Sequence, residues 1–339
     1  MSHGPSPAPD AAPGSEPARP VVCTTRPLPG GPFAGPFARL AQEVDLRPGL
    51  EALAEAEGLV CFPGDPVDAA LMARAPRLRA IATVSVGYDH IELPAAAARG
   101  IVVTHTPGVL TAATAELTFA LMLAAARHLL AGDRLVREGG FRGFDPELLL
   151  GLELEGACLG VVGAGRIGSA VAERALAFGM RVLYHSRRPR PALEARGCAR
   201  APSLAALLEQ ADVVSLHVPL TAETYHLIGA RELALMRPHA ILVNTARGPV
   251  VDEAALVEAL ARGRPAAAAL DVYEREPALS PGLAALPNAV LLPHLGSATA
   301  RTRRRMAELA VAGLLDALAG RPPDHAVPLP DAPSAHPSS

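Results

Sequence analysis

A hydrophobic run, Ala157–Val162, leads directly into Gly163-Ala164-Gly165-Arg166-Ile167-Gly168, then into a helix-forming stretch that closes at Phe178-Gly179. A strand, a glycine turn and a helix in this order admit few folds. The first glycine permits a tight turn, the second lets a pyrophosphate approach the backbone, and the third lets the helix pack on the strand. The helix N-terminus offers free N–H groups and the positive end of its dipole to an anion. A bare G-x-G-x-x-G is weak evidence. Here a second strand, Arg181–Tyr184, follows at the spacing of a dinucleotide-binding unit. We therefore assign Gly163, Gly165, Arg166, Ile167 and Gly168 to the cofactor.

In NAD-binding units an acidic residue about 20 positions beyond the glycines bonds the adenosine ribose. In this chain the second strand ends in His185-Ser186-Arg187-Arg188-Pro189, with no carboxylate. A loop arginine pair is often only a solvated pair. At this position a serine and two guanidinium groups suit a 2′-phosphate, which a carboxylate would repel. Ser186, Arg187 and Arg188 thus predict NADP(H) in preference to NAD(H).

The chain has 339 residues, room for about two domains. Half of it is apolar with few aromatics, so Ala, Val and Leu must pack the core. The net charge of −3 and the lack of long basic blocks give no sign of a nucleic-acid partner. Arg301–Arg305 is best read as the polar face of a helix. Cys23, Cys61, Cys158 and Cys198 are scattered without metal-ligand spacing, so no metal is expected. Free thiols fit a reducing, cytoplasmic setting. The first twenty residues have no signal-peptide pattern and, being rich in Pro, Ala, Gly and Ser, are expected to be disordered. The same holds for 327–339. The most apolar segment, Ala112–Leu130, contains Glu116, Arg127 and His128 and reads as one long buried helix, with no membrane partner expected.

Strands and helices alternate between the tails, which predicts a parallel α/β architecture. In the first part, strands are expected at Val21–Thr25, Gly58–Phe62, Leu78–Ser85 and Ile101–Val103. In the second, six strands end near Val162, Tyr184, Leu216, Val243, Leu270 and Leu292. Ser203 and Asp252 suit helix N-caps, and Gly263 a helix stop. The last helix, about Ala298–Ala319, is expected to return to the first domain.

Ligands of open α/β sheets bind beyond the carboxyl ends of the strands. Arg247 follows the fourth strand of the second part, Asp271 and Glu276 follow the fifth, and His294 follows the sixth. One Arg, one Glu and one His therefore share the rim that carries the glycine turn. A lone His or Arg at a strand end is usually structural; the three together suit hydride transfer to a 2-keto acid. Arg247 can grip the carboxylate and carbonyl. His294 can donate the proton in reduction and accept it in oxidation. Glu276, bonded to the imidazole, would favour its charged form. Asp271 can bond the nicotinamide carboxamide. His185, His217, His226 and His239 lack such a constellation and are read as structural.

The chain resembles the D-isomer-specific 2-hydroxyacid dehydrogenases from about residue 21 to 330. The resemblance rests on Val86–His90, Thr106–Thr111 with Thr114-Ala115-Glu116, Gly163–Gly168, Asn244–Gly248 with Val251-Asp252, Leu270–Pro277 and Pro293–Ser297. It implies Arg247, Glu276 and His294 as the catalytic trio. It implies that the backbone at Val86-Gly87 binds substrate beside Arg247 and His294. Thr114, Pro219, Thr245 and Asp271 would contact the cofactor, and we count Thr224, Ala246, Gly296 and His294 with them. Within the family the chain is most similar to the glyoxylate/hydroxypyruvate reductases.

The fold expected is α/β with two parallel-sheet domains. A flavodoxin-like substrate domain (21–108 and 298–326) would hold an inserted Rossmann-type dinucleotide-binding domain (109–297). The activity expected is NADPH-dependent reduction of glyoxylate and hydroxypyruvate. A dehydrogenase of a bulkier D-2-hydroxy acid and a non-enzymatic dinucleotide-sensing protein stay open as alternatives. The resemblance also implies a homodimer, with Ala112–Leu130 as its main contact. The chain has no tryptophan, so Phe141–Asp145 with Leu148–Leu150, and Phe62–Asp65 opposite, are expected to line a less aromatic pocket.

Overall fold

The computed structural model describes residues 19–330; residues 1–18 and 331–339, where most of the expected tail disorder falls, lie outside the described residues. Twelve strands form two separate sheets. The first holds β1 (Val21–Thr24), β2 (Asp45–Arg47), β3 (Gly58–Cys61), β4 (Ala80–Thr83) and β5 (Val102–Thr104), in the order β2-β1-β3-β4-β5. Every ladder is parallel. This is the doubly wound order of flavodoxin-like sheets. The polar edge strand β2 was not expected from the sequence. It pairs Asp45 to Arg47 with Val21 to Cys23.

The second sheet holds β6 (Cys158–Val162), β7 (Arg181–His185), β8 (Ala199–Arg200), β9 (Val213–Leu216), β10 (Ile241–Asn244), β11 (Ala267–Leu270) and β12 (Ala289–Leu291). Its order is β12-β11-β10-β9-β6-β7-β8, again wholly parallel. The six expected strands are present, and β8, two residues long, adds a seventh. The chain runs one way from β6 to β8 and then restarts on the other side of β6 at β9. The glycine turn after β6 therefore sits at the switch point, where such sheets leave a crevice.

Buried parallel strands read as continuous apolar runs because helices cover both faces. The helix Thr111–Ala126 covers one face of the second sheet and also packs on the helix Arg166–Ala177. It is apolar but for its threonines and Glu116, which lies with Ala112 and Ala120 on its exposed face. The segment expected as one helix over Ala112–Leu130 is broken. His128 adopts a left-handed φ of 52°, and a second helix, Leu129–Arg137, departs at 63°. No single helix among the described residues is long and apolar enough to cross a membrane, although this bent pair is so by length and composition.

The helix Ala300–Leu318 returns to the first sheet. Met306, Ala310, Val311 and Leu314 pack with Val22, Val60 and Ala80. Thr299 caps it, its hydroxyl accepting the Thr302 N–H at 3.1 Å. Ser203 and Asp252 cap their helices as expected, accepting from Ala206 and Ala255. Two expectations fail at the edges. Val327, expected in a disordered tail, is buried, and its N–H bonds the Val103 carbonyl at 2.8 Å. Arg303, expected on a solvated face, is half-buried and donates to the Ser297 carbonyl at 3.3 Å. Burial holds its pKa below the usual arginine range.

Candidate active site

The cofactor turn has the steric signature of a dinucleotide cradle. Gly163 has a φ of 95°, which a side chain rarely tolerates. A Cβ on Gly168 would lie 2.1 Å from the Gly163 carbonyl oxygen, whereas space around Gly165 is open. Gly165 caps the helix Arg166–Ala177 with no side-chain acceptor, so the first-turn N–H groups of Arg166 and Ile167 face the crevice free. An anion fits there without displacing any protein group.

The loop after β7 is braced from below. The Tyr184 hydroxyl bonds the Glu194 carboxylate and accepts the Arg190 N–H at 2.8 Å. Arg200 donates to the Ser186 carbonyl at 3.2 Å. Ser186 donates to the Arg188 carbonyl at 2.6 Å. Arg187 and Arg188 are exposed and make no ion pair among the described residues.

Other expected cofactor residues meet where the two halves of the crevice join. Thr114 donates to the Gly296 carbonyl at 2.9 Å, and Thr118 bonds Thr245 at 3.0 Å. The Ala246 N–H donates to Asn244 Oδ1 at 3.0 Å, and Asn244 Nδ2 donates to the Arg247 carbonyl at 2.9 Å. Asn244 thus shapes the turn that presents Arg247, a role the sequence reading did not assign. Thr224 closes its own loop, donating to the Pro219 carbonyl at 2.6 Å. Asp271 has a structural task besides any ligand. Its two oxygens accept the N–H groups of Leu295 (2.6 Å) and Gly296 (2.7 Å). Burial pushes its carboxyl above the ordinary range despite these bonds.

That grip sets His294. Its φ is 56°, an uncommon conformation for a residue with a side chain, and its N–H bonds the Asp271 carbonyl at 2.9 Å. Nδ1 lies 2.9 Å from Glu276 Oε2. A carboxylate only accepts, so Nδ1 carries the proton and Nε2 is left for a ligand. The other Glu276 oxygen accepts the Tyr273 N–H at 3.0 Å. Burial pushes the Glu276 carboxyl up. The His294 bond and charge, the Tyr273 N–H and the Arg247 guanidinium outweigh this and hold it below the usual carboxylate range.

Arg247 follows the neighbouring strand β10 on the same rim, and its charge reaches Glu276. Its Nε donates to Asp89 Oδ1 at 2.9 Å, and Nη1 donates to the Ala246 carbonyl at 2.8 Å. Among the described residues this is the one ion pair that joins the two sheets' loops. A Cβ on Gly87 would lie 1.7 Å from Arg247 Nη2, so the guanidinium rests on the Val86-Gly87 backbone. The Val86 carbonyl accepts from His105 and the Gly87 carbonyl from Ser85, while their N–H groups have no partner among the described residues. A carboxylate can meet two N–H groups and a guanidinium there.

Of the histidines read as structural, His217 and His239 have side-chain partners, while His185 Nδ1 is buried with no hydrogen-bond partner among the described residues. His217 is buried beside the glycine turn and bonds Ser215 at 2.8 Å; burial pushes it down to about 3. His239 bonds Asp212 at 2.8 Å. Of the expected pocket walls, Phe62 is buried against Phe33 and Phe37, while Phe141 and Leu150 are exposed and Phe144 is 93% exposed.

A glycine cradle at the switch point, with a loop of two unpartnered N–H groups and an Arg–Glu–His set beside it, defines a nicotinamide-dinucleotide oxidoreductase of the α/β type. Comparison makes the assignment narrower. Residues 119–296 match the model of the D-isomer specific 2-hydroxyacid dehydrogenase NAD-binding domain. The glyoxylate reductase of Thermococcus litoralis is 49% identical over 282 residues, 82% of this chain and 85% of its own. A crystal structure of a Thermus thermophilus protein is 51% identical, covers 91% of this chain and 99% of its own, and superposes with a TM-score of 0.83. An NADPH-dependent glyoxylate/hydroxypyruvate reductase from Sinorhizobium meliloti, solved with NADP and malonate, is 36% identical, covers 91% and 97%, and also gives 0.83. The chain belongs to the D-isomer-specific 2-hydroxyacid dehydrogenase family and is an NAD(P)-dependent oxidoreductase.

Proposed function

We propose that the protein reduces small 2-keto acids, glyoxylate and hydroxypyruvate first, using NADPH in preference to NADH. The observation that carries this reading is the 2.9 Å Glu276–His294 pair on the same strand-end rim as Arg247. The bound reduced cofactor supplies the hydride. Arg247 and the Val86-Gly87 N–H groups hold the substrate carboxylate and fix the carbonyl in the crevice. His294 Nε2 donates a proton to the carbonyl oxygen as negative charge develops there. Glu276 accepts the hydrogen bond from His294 Nδ1, fixes the orientation of the imidazole and takes no proton itself.

The exposed Arg187–Arg188 pair, in no salt bridge among the described residues though Arg187 lies near the Glu223 carboxylate, supports the NADPH preference, as does the NADP-bound relative. Relatives named glyoxylate reductase support the substrate class. We read 21–108 and 298–326 as the substrate domain and 109–297 as the cofactor domain. We also propose a homodimer, with the helix Thr111–Ala126 and the exposed hydrophobic side chains that follow it in 129–150 as its main contact.

The test is NADPH oxidation followed with glyoxylate, hydroxypyruvate, pyruvate and a bulky keto acid, repeated with NADH. Turnover of the two small acids with NADPH supports the proposal. Activity on the bulky acid alone keeps the mechanism and overturns the substrate. Cofactor binding without any turnover overturns the catalytic reading.

A further inference from the structure

The loop that carries Glu276 has little packing of its own. Arg275 to Leu279 are exposed, between the buried Tyr273 and the buried Leu283. Something outside the loop must hold it, because a general acid needs its partner fixed to well under an ångström.

Glu253 fills that need. It is buried at the start of the helix Glu253–Ala261, where a carboxylate rarely sits unless its oxygens are satisfied. One oxygen accepts the Glu274 N–H at 2.8 Å and the other accepts the Ser280 N–H at 2.6 Å. These donors stand at the two ends of the loop. In return the Glu253 N–H donates to Glu274 Oε2 at 3.1 Å. His226 lies against the same cluster, with Nε2 3.3 Å from Glu274 Oε1 and Nδ1 3.9 Å from Asp252 Oδ2. Asp252 itself is committed to capping the helix.

We infer that Glu253 is a positioning residue: its buried carboxylate clamps both ends of the Glu274–Ser280 loop and so sets Glu276 at hydrogen-bond distance from His294. A neutral amide at 253 offers one acceptor oxygen and turns N–H groups toward the other backbone N–H. One end of the loop is then released. Glu276 keeps Tyr273 beneath it but loses its fixed approach to His294 and to the Arg247 charge.

This inference rests on the proposed Arg–Glu–His reading, so its test includes a readout that needs no turnover. The titration of the Glu276 carboxyl is followed by carbon-13 NMR in glutamate-labelled protein, assigned by its loss in Glu276→Gln. In the wild type it titrates below the ordinary glutamate value of about 4.3. In Glu253→Gln it is expected to rise toward that value. Turnover is expected to fall by about 10- to 100-fold, the loss that follows an ångström-scale misplacement. Glu253→Gln added to Glu276→Gln is expected to cost nothing further, because both act through one contact. Glu253→Asp keeps the buried charge but cannot span both donors; it is expected to move the titration in the same direction and tests the idea if the amide variant does not fold. A Glu276 titration unchanged in these variants, or losses that multiply in the double variant, overturns the inference. A normal titration shift in a protein that turns over no keto acid would overturn the functional proposal instead.

Discussion

Replacing Gly248 by alanine tests the packing that brings Arg247 to Glu276. Gly248 is buried and has no left-handed φ, so the obstacle is contact rather than backbone strain. A Cβ there would lie 1.8 Å from the Tyr273 carbonyl carbon and oxygen and 2.4 Å from the Glu274 nitrogen. Ordinary contact begins near 3.4 Å, so the two loops must separate by about 1.6 Å, the difference between 3.4 and 1.8. Tyr273 cannot simply yield. Its ring is buried, its hydroxyl donates to the Leu292 carbonyl at 2.8 Å and its N–H holds Glu276. Overpacking of this kind costs about 1–3 kcal/mol of stability. An ångström-scale displacement between reacting groups costs about 100-fold in rate, or roughly 2.7 kcal/mol of transition-state stabilisation. The assay is kcat/KM for glyoxylate with NADPH, measured well below the melting temperature and paired with NADPH affinity by fluorescence. We expect kcat/KM to fall about 100-fold, with NADPH affinity reporting any displacement of Thr245 and Ala246 on the same turn. A Gly248→Ala enzyme with kcat/KM close to that of the wild type would refute the reasoning.

Further predictions concern other contacts. Asp89→Ala frees the Arg247 guanidinium and should lower kcat/KM about tenfold, roughly 1.4 kcal/mol, while Asp89→Asn, which keeps an acceptor oxygen, should lose less; equal losses in steady-state assays would show that orientation is not Asp89's contribution. Arg187→Ala with Arg188→Ala should raise KM for NADPH at least tenfold, the effect of about 1.4 kcal/mol, and leave KM for NADH nearly unchanged; a parallel rise for both cofactors would count against a 2′-phosphate site. Asp212 accepts from the Cys158 N–H, Arg237 and His239, each at 2.8 Å. Burial pushes its carboxyl up, but these partners outweigh burial and hold it below the usual range. Its stabilisation is therefore complete above about pH 4, the unfolded aspartate value, and is lost as pH falls through the lower folded value. Asp212→Asn should cost about 1–2 kcal/mol at neutral pH, since Arg237 and His239 are partly exposed, and much less at pH values below the folded one; thermal melts across that range check the sign. Light scattering should give twice the chain mass, and a monomer would remove the assigned role of segment 129–150.

The site was legible in the sequence to the extent that local chemistry marks it. The glycine turn, Arg247, Glu276 and His294 each follow a strand end, and the rule that ligands gather at those ends placed them together before any distance was known. The largely apolar runs that become β3, β4, β6, β9 and β10 were also readable, because strands buried on both faces are mostly apolar, with Thr83, Ser215 and Asn244 as buried polar exceptions.

What the sequence alone determined, then, is the order of elements and the chemistry at their ends, since both depend on near neighbours in the chain. Tertiary structure decided everything that depends on partners far apart in it. The polar strand β2 exists because β1 offers it a ladder. The break at His128 is a left-handed residue inside an otherwise helical run, which periodicity does not register. The burial of Val327 depends on β5, more than 200 residues earlier. Asp89 and Arg247 meet only because two sheets face each other, and Glu253 reaches the Glu276 loop only because two crossovers end side by side. Hydrogen bonds and ion pairs act over a few ångströms, so the residues that hold the proposed catalytic groups in place are set by the fold rather than by spacing along the chain.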